Sequence, residues 1–108
     1  DGIRSAFCSG MSPDAIVCGN DQEAAVLMPT LAALGKRIPE DVAVVGFDDV
    51  FCAQLCTPKL TTIHQPIELI AEAALGFLVS RIADAATPAR EVTIDSPLIR
   101  RGSTEKVV

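Results

Sequence analysis

Aromatic residues are scarce in this sequence, which has four phenylalanines, no tryptophan and no tyrosine. Its 49% of hydrophobic residues are mostly alanine, valine, leucine and isoleucine, a mixture that favours helices packed on a buried sheet. No apolar run approaches the ~20 residues of a membrane span. The chain opens Asp1-Gly2-Ile3-Arg4, with neither a signal peptide nor an initiator methionine, so we expect a processed or truncated polypeptide that works in the cytoplasm.

Basic residues are also few and scattered. Nine lysines and arginines stand against 14 aspartates and glutamates, which gives a net charge of −5. The adjacent basic pairs are Lys36-Arg37 and Arg100-Arg101. Because affinity for the phosphate backbone comes mostly from lysine and arginine, we expect that this polypeptide alone does not bind nucleic acid.

Catalytic and metal-binding motifs are missing as well. There is no P-loop, no G-x-G-x-x-G and no Ser-His-Asp arrangement, and the adjacent carboxylates of Asp48 and Asp49 diverge too much to flank one bond. The cysteines are Cys8, Cys18, Cys52 and Cys56, without a C-x-x-C pair. A site made of Cys52, Cys56 and His64 can be imagined, but structural zinc usually has tighter paired spacing. We expect no enzyme, no cofactor and no metal, and cysteines that act as small buried hydrophobes.

The first half of the chain has the pattern of a βαβ unit. Short apolar runs predict parallel strands, buried on both faces, at about 15–19 and 42–47. Between them, residues 21–34 predict a helix that stops at Gly35, with Pro29 expected to kink it. These signals favour a three-layer α/β arrangement.

Polar side chains follow both predicted strands. Asn20 comes after the first strand, and Asp48 and Asp49 come after the second. Ligands of open parallel sheets bind outside the carboxyl ends of the strands. We therefore expect these side chains to converge where a ligand would lie.

The second half predicts an edge or connecting strand at 60–63 and a helix that opens at Pro66. Apolar residues recur at helical spacing over 67–82, and Thr87-Pro88 ends the pattern. The alternating segment 91–95 predicts a further strand.

Four strings of the sequence resemble one family. They are PDAIVCGND at 13–21, IPEDVAVVGFDD at 38–49, LTTIHQP at 60–66 and RGST at 101–104. Their order and spacing over nearly the whole chain resemble the LacI/GalR family of sugar-responsive transcription regulators.

The resemblance implies an incomplete effector-binding part of such a regulator. Members of the family have an N-terminal helix-turn-helix, a hinge helix and a two-lobed effector domain of the periplasmic-binding-protein-like type I fold. By resemblance, residues 1–64 and 91–108 belong to the three-layer, parallel-sheet C-terminal lobe. Residues 65–90 supply a crossing strand and a helix of the N-terminal lobe, and the helix-turn-helix is not included in this sequence.

Ligand contacts carried over from the family begin with Asp48, whose counterpart accepts hydrogen bonds from effector hydroxyls. A carboxylate has enough lone pairs to hold two hydroxyls. Asn20 matches a position whose amide faces the effector, and it can cap the following helix at the same time. Gln22 is expected near the mouth of the same cleft.

The hinge region adds further candidates. Gln65 lies on the crossing strand and is expected to face the cleft. Ile67 matches an apolar wall beside the sugar ring, although a small aliphatic side chain weakens the expectation of ring stacking. We expect Asp49 to be structural, holding its loop through backbone N–H groups, and His64 to be a hydrogen-bonded connector.

An apolar surface predicts a homodimer through the helix 21–34 and the loop 51–58. Its members are Ala25, Met28, Pro29, Phe51, Leu55 and Cys56, which could otherwise pack on their own lobe. The family dimerises through the matching region.

The sequence therefore favours the effector-sensing part of a repressor-type regulator that binds a small sugar-like ligand. Contact with operator DNA would come only through the missing N-terminal domain, and no membrane contact is expected. A periplasmic sugar-binding receptor of a transport system is the alternative, and it would need a secretory signal on the full chain.

Overall fold

The computed structural model describes residues 2–106. It divides the chain into two compact units: the residues up to His64 together with those from Pro97 onward, and Gln65–Ser96. The assignment of either unit to a lobe of a larger domain stays a prediction.

The first unit contains a small sheet with helices. Its elements are α1 (Gly2–Cys8), β1 (Ala15–Val17), α2 (Asp21–Ala33), β2 (Ala43–Val45), α3 (Cys52–Leu55), β3 (Thr62–Ile63) and β4 (Leu98–Ile99). β1 and β2 pair in parallel, with Ile16 opposite Val44. The predicted βαβ unit and the α/β class are confirmed.

Further pairing extends this sheet beyond β2. The amide of Gly46 donates to the carbonyl of Thr61 over 2.9 Å, and the amide of Asp48 donates to the carbonyl of Ile63 over 2.9 Å. Both links run in the parallel sense, whereas β3 pairs with β4 antiparallel. The segment that ends at His64 is thereby fixed beside the carboxyl end of β2.

Local signals set both ends of α2. The side-chain oxygen of Asn20 accepts from the Glu23 amide over 2.8 Å, and the Glu23 carboxylate accepts from the Gly19 amide over 2.9 Å. This reciprocal pair is a capping box. After Ala33 the chain turns at Gly35, whose φ of 75° suits glycine. The helix continues through Pro29.

A hydrophobic core lies between α2 and β2. Its buried members are Ala24, Leu27, Met28, Leu31, Val42, Val44, Ala53 and Leu60. Ile3 and Phe7 of α1 pack against this core from its margin. The loop after β2 is thus attached to a strand with a buried centre.

Two expectations about strands are wrong. β1 is not buried on both faces, because Ala15 is exposed and 77% of Val17 is accessible. In the described part of the chain β1 pairs only with β2, so it is an edge strand. Residues 91–95 form no strand, because the second unit offers them no strand to pair with. The strand lies instead at Leu98–Ile99, which pairs with β3.

The second unit is built on α4 (Ile67–Ala83), as the apolar periodicity predicts. None of its residues is buried, and its exposed apolar residues include Ile67, Leu69, Leu75, Leu78, Val79 and Ile82. The guanidinium of Arg90 stacks on Phe77 at 4.6 Å from the ring centre. Within residues 2–106, no helix combines the length and the apolar character of a membrane span.

Candidate functional site

The loop after β2 has an unusual backbone. Asp48 has φ of 112° and Asp49 has φ of 57°, two consecutive left-handed residues that are not glycine. Such conformations persist only where the surroundings impose them, and they concentrate at binding sites. The conformation therefore marks this loop as a candidate functional site.

The Asp49 carboxylate joins three parts of the first unit. One oxygen accepts from Arg101 over 2.7 Å, and the other lies 2.9 Å from Nδ1 of His64. Arg101 also donates to the carbonyl of Leu60 over 2.9 Å. The side chains of Asp49 and Arg101 are 15% and 16% exposed, so this ion pair is shielded from most of the solvent.

These contacts lower the pKa of the Asp49 carboxyl. Burial by itself raises that pKa, but hydrogen bonds from Arg101 and His64 outweigh it and bring the pKa below its ordinary value. Asp49 is thus structural, as expected, but the expected means is corrected. Its carboxylate is held by two side chains and not by backbone N–H groups, because Arg101 and His64 are brought beside it by β3 and β4. His64 is the hydrogen-bonded connector that the sequence suggests.

Asp21 holds the other side of the same loop. Its buried carboxylate accepts from the amide of Val50 over 2.9 Å and from the hydroxyl of Thr62. A methyl group on Gly46 would overlap this carboxylate and lie 2.8 Å from a methyl carbon of Leu60. Glycine at position 46 therefore makes room for the buried Asp21.

The RGST segment anchors the end of the chain in the first unit. The hydroxyl of Ser103 donates to the carbonyl of Val44 over 2.6 Å and accepts from the amide of Thr61 over 2.8 Å. The Thr61 hydroxyl meets that of Thr104 at 2.7 Å. This buried network fixes the backbone from which Arg101 extends.

Asn20 and Gln22 lie together at the start of α2. Both line a cavity of about 650 Å³, with residues of α1 and the outer face of α2. Asp48 is not among the described residues that line it. The starts of α2 and of the Asp48 loop are nevertheless adjacent, since the amide of Asp21 donates to the carbonyl of Phe47 over 3.0 Å.

The remaining ligand candidates belong to the second unit. Gln65 is half-buried, and its carbonyl accepts from the amide of Ile67 over 2.9 Å. Ile67 opens α4 and is 58% exposed. Their use together with Asp48 stays a prediction.

An apolar groove runs between α2 and α3. It encloses about 350 Å³ and is lined by Ala25, Met28, Pro29, Ala32, Cys52, Leu55, Cys56 and Thr57. Most of the predicted dimer residues are in this lining. Phe51 is outside it and 73% exposed, whereas Met28 is buried in the core of its own unit.

Cys52 opens α3 and Cys56 follows its last residue. The thiol of Cys56 donates to the carbonyl of Cys52 over 3.3 Å, and burial raises the pKa of both thiols. In the described part of the chain, no three histidine, cysteine or acidic side chains are grouped as metal ligands.

Comparison with known proteins shows where this arrangement belongs. The family of periplasmic binding protein-like domains matches residues 2–104. The HTH-type transcriptional repressor PurR of Vibrio vulnificus is 39% identical over 95 residues, which cover 88% of this chain and 28% of the relative. The ribose operon repressor of Escherichia coli is 34% identical over 103 residues, covering 95% and 31%. The chain belongs to the LacI family of transcriptional regulators.

Solved structures of LacI-family members agree with the fold. A regulator from Bifidobacterium animalis aligns with a TM-score of 0.83 at 39% identity, covering 93% of this chain and 36% of that one. A regulator from Enterococcus faecalis with bound ribose aligns at 0.75 and 38% identity, covering 83% and 34%. One from Arthrobacter in complex with lactose aligns at 0.74 and 35% identity, covering 85% and 35%.

The chain is a stretch of the periplasmic-binding-protein-like effector domain of a LacI-family regulator, and it spans less than a third of the repressors named above. These relatives are transcriptional repressors, which agrees with the expectation that the chain is not an enzyme. The relatives named above are regulators and not transport receptors.

Sequence reasoning missed the residues that hold the Asp48 loop. From the sequence, Asp21, Arg101 and Ser103 have no role beyond their places in the motif strings. The signal was present in the strings GFDD and RGST, but their pairing spans 52 positions and follows no local spacing rule.

Proposed function

We propose that this stretch forms one wall of a sugar-binding cleft in a LacI-family regulator. Asp48 accepts hydrogen bonds from hydroxyl groups of the sugar, and Asn20 and Gln22 add polar contacts at the mouth. Gln65 and Ile67 are further proposed ligand contacts. A bound sugar then shifts the balance between two arrangements of the effector domain.

The left-handed pair Asp48-Asp49 carries the proposal. A strained loop at the carboxyl end of β2, held by Asp21 and Arg101, is a rigid platform for a carboxylate. Relatives with bound ribose and lactose support a sugar as the chemical class of the ligand.

The proposed regulator acts in the cytoplasm as a homodimer. The apolar groove between α2 and α3, with the exposed Leu55 in its lining and the exposed Phe51 just before α3, supplies an apolar patch for a two-fold contact. Operator DNA is contacted by a part of the regulator outside this sequence, since the net charge here is −5.

Titration calorimetry of the full-length regulator tests the sugar site. Ribose, lactose and a wider panel of mono- and disaccharides are titrated into the wild type and two variants. Asp48→Ala is expected to weaken binding by about 2–5 kcal/mol, because sugar hydroxyls lose their acceptor in an enclosed site. Asp14→Ala is the matched control, because Asp14 is exposed and lies just before β1, at the end of that strand away from Asn20.

Unchanged affinity in Asp48→Ala would overturn the role of Asp48. Failure of every sugar in the panel to bind the wild type would overturn the proposed ligand class.

A further inference from the structure

We propose that Arg101, acting through Asp49, is a positioning residue that holds Asp48 in its left-handed conformation for ligand binding. The expected effect of Arg101 on ligand affinity rests on the proposed sugar site. We call the contacts of Asp49 with Arg101 and His64 the clamp. They all lie within the first unit, so the clamp can be tested without any sugar.

Asp48 has the stronger strain of the pair. Its φ of 112° is far from the 57° of Asp49, which is close to the most favoured left-handed value, and a side chain on Cβ makes a φ of this size unfavourable. Its amide is used in the sheet, as a donor to the carbonyl of Ile63 over 2.9 Å. The conformation therefore depends on fixed points on both sides of Asp48.

Downstream of Asp48, the first fixed point along the chain is the Asp49 side chain, and the Val50 amide bound to Asp21 is the next. The side-chain oxygens of Asp49 are held by Arg101 at 2.7 Å and by His64 at 2.9 Å. The Asp49 amide lies 3.4 Å from the hydroxyl of Thr62, too long to fix the backbone by itself. Most of the restraint on this residue therefore comes through its carboxylate.

Arg101 is suited to this role because it is itself immobilised. Its guanidinium donates to the Leu60 carbonyl as well as to Asp49. Its backbone amide donates to the Thr61 hydroxyl over 2.8 Å, and that hydroxyl donates back to the Arg101 carbonyl over 2.9 Å. The planar fork of arginine can hold two acceptors at once, which the single ammonium group of lysine cannot do in the same geometry.

The chain also offers a matched control pair. Arg37 and Asp41 form an ion pair with the same 2.7 Å separation, but their side chains are 72% and 31% exposed and sit four residues apart in a turn. An Arg→Lys change there alters the same chemistry without touching the Asp48 loop.

The first arm of the test measures amide hydrogen exchange in the full-length regulator without sugar. Arg101→Lys and Asp49→Asn should each raise exchange at residues 48–50 by roughly tenfold, since local opening no longer has to break the clamp. Exchange in β2 should stay unchanged, and Arg37→Lys should change neither region. Equal acceleration through β2 and the loop would assign Arg101 a general structural role, and no change at 48–50 would exclude the clamp.

The second arm uses ribose or lactose, whichever the wild type binds. Each clamp variant should weaken binding roughly tenfold. In an Asp48→Ala background the same change should alter affinity by no more than about twofold, because the clamp would act only through Asp48. An undiminished tenfold loss in that background would overturn the positioning role. Binding of neither sugar would count against the proposed function, while the exchange arm would still decide the clamp.

Discussion

At the scale of single residues, the molecule concentrates its unusual features around one short loop. Asp48 and Asp49 are its left-handed residues, and the buried Asp21 and the paired Arg101 hold it from neighbouring elements. Backbone strain of this kind costs about 1–3 kcal/mol per residue. The surrounding hydrogen bonds must offset that cost, so small changes to them should have measurable effects.

The Asp49 carboxyl predicts a pH dependence of stability. Its pKa is lowered in the folded state, so it contributes stability above the ordinary carboxyl pKa, and that contribution is lost as the pH falls through the lower folded value. In urea denaturation of the full-length regulator, Asp49→Asn should be less stable than the wild type at pH 7.

The difference should shrink as the pH is lowered through about 4 and below. Asp41→Asn is the control, because the pKa of Asp41 is also lowered by its Arg37 partner, but that pair is exposed to solvent. Screening should make its effect small. A difference between Asp49→Asn and the wild type that grows on acidification would contradict the assignment.

The close packing around Gly46 predicts that a Gly→Ala change has opposite effects on stability at positions 46 and 76. Gly46→Ala forces a methyl group onto Asp21 and Leu60 and should destabilise the fold by about 1–3 kcal/mol. Gly76→Ala meets no atom within 4 Å in α4 and should stabilise it by roughly 0.5–1 kcal/mol. Thermal denaturation of both variants measures the pair, and equal effects would refute the packing argument.

At the scale of elements, the start of α2 combines two demands. Asn20 caps the helix through the Glu23 amide and is also a proposed ligand contact. An aspartate can cap as well as asparagine but cannot donate a hydrogen bond when ionised.

Two substitutions at this position separate the roles. Asn20→Ala should cost about 1 kcal/mol of stability through loss of the cap. Asn20→Asp should keep the stability and still weaken sugar binding, as measured by thermal denaturation and calorimetry on the same preparations. Wild-type sugar affinity in Asn20→Asp would reduce Asn20 to a helix cap.

At the scale of the whole molecule, the apolar groove between α2 and α3 predicts self-association. Leu55 lines the groove and is 66% exposed, so a charge there would be buried without a partner in a two-fold interface. Sedimentation of the full-length regulator at micromolar concentration should find the wild type dimeric and Leu55→Glu largely monomeric.

Ala33→Glu serves as the control for added charge, because Ala33 is exposed on α2 and lies outside the groove lining. It should leave the dimer intact. A monomeric wild type, or a dimer that survives Leu55→Glu, would count against this interface.

The sequence by itself determined the elements that neighbouring residues signal. Asn20 caps α2 through the Glu23 amide, the helix stops before Gly35, and two short apolar runs form the strands β1 and β2. The four motif strings were enough to indicate the family, because their order and spacing are visible in the sequence itself.

Tertiary structure decided everything that depends on residues far apart in the chain. Arg101, the partner of Asp49, lies 52 positions away, and Val50, a partner of Asp21, lies 29 positions away. No periodicity of the sequence predicts these pairs. Tertiary structure also placed Met28 in the core, exposed Val17 at a sheet edge and left residues 91–95 without a strand. A strand forms only where a neighbouring strand pairs with it, and a buried carboxylate needs a hydrogen-bond donor. The topology of the chain brings such groups together, so their pairing cannot be read from local pattern.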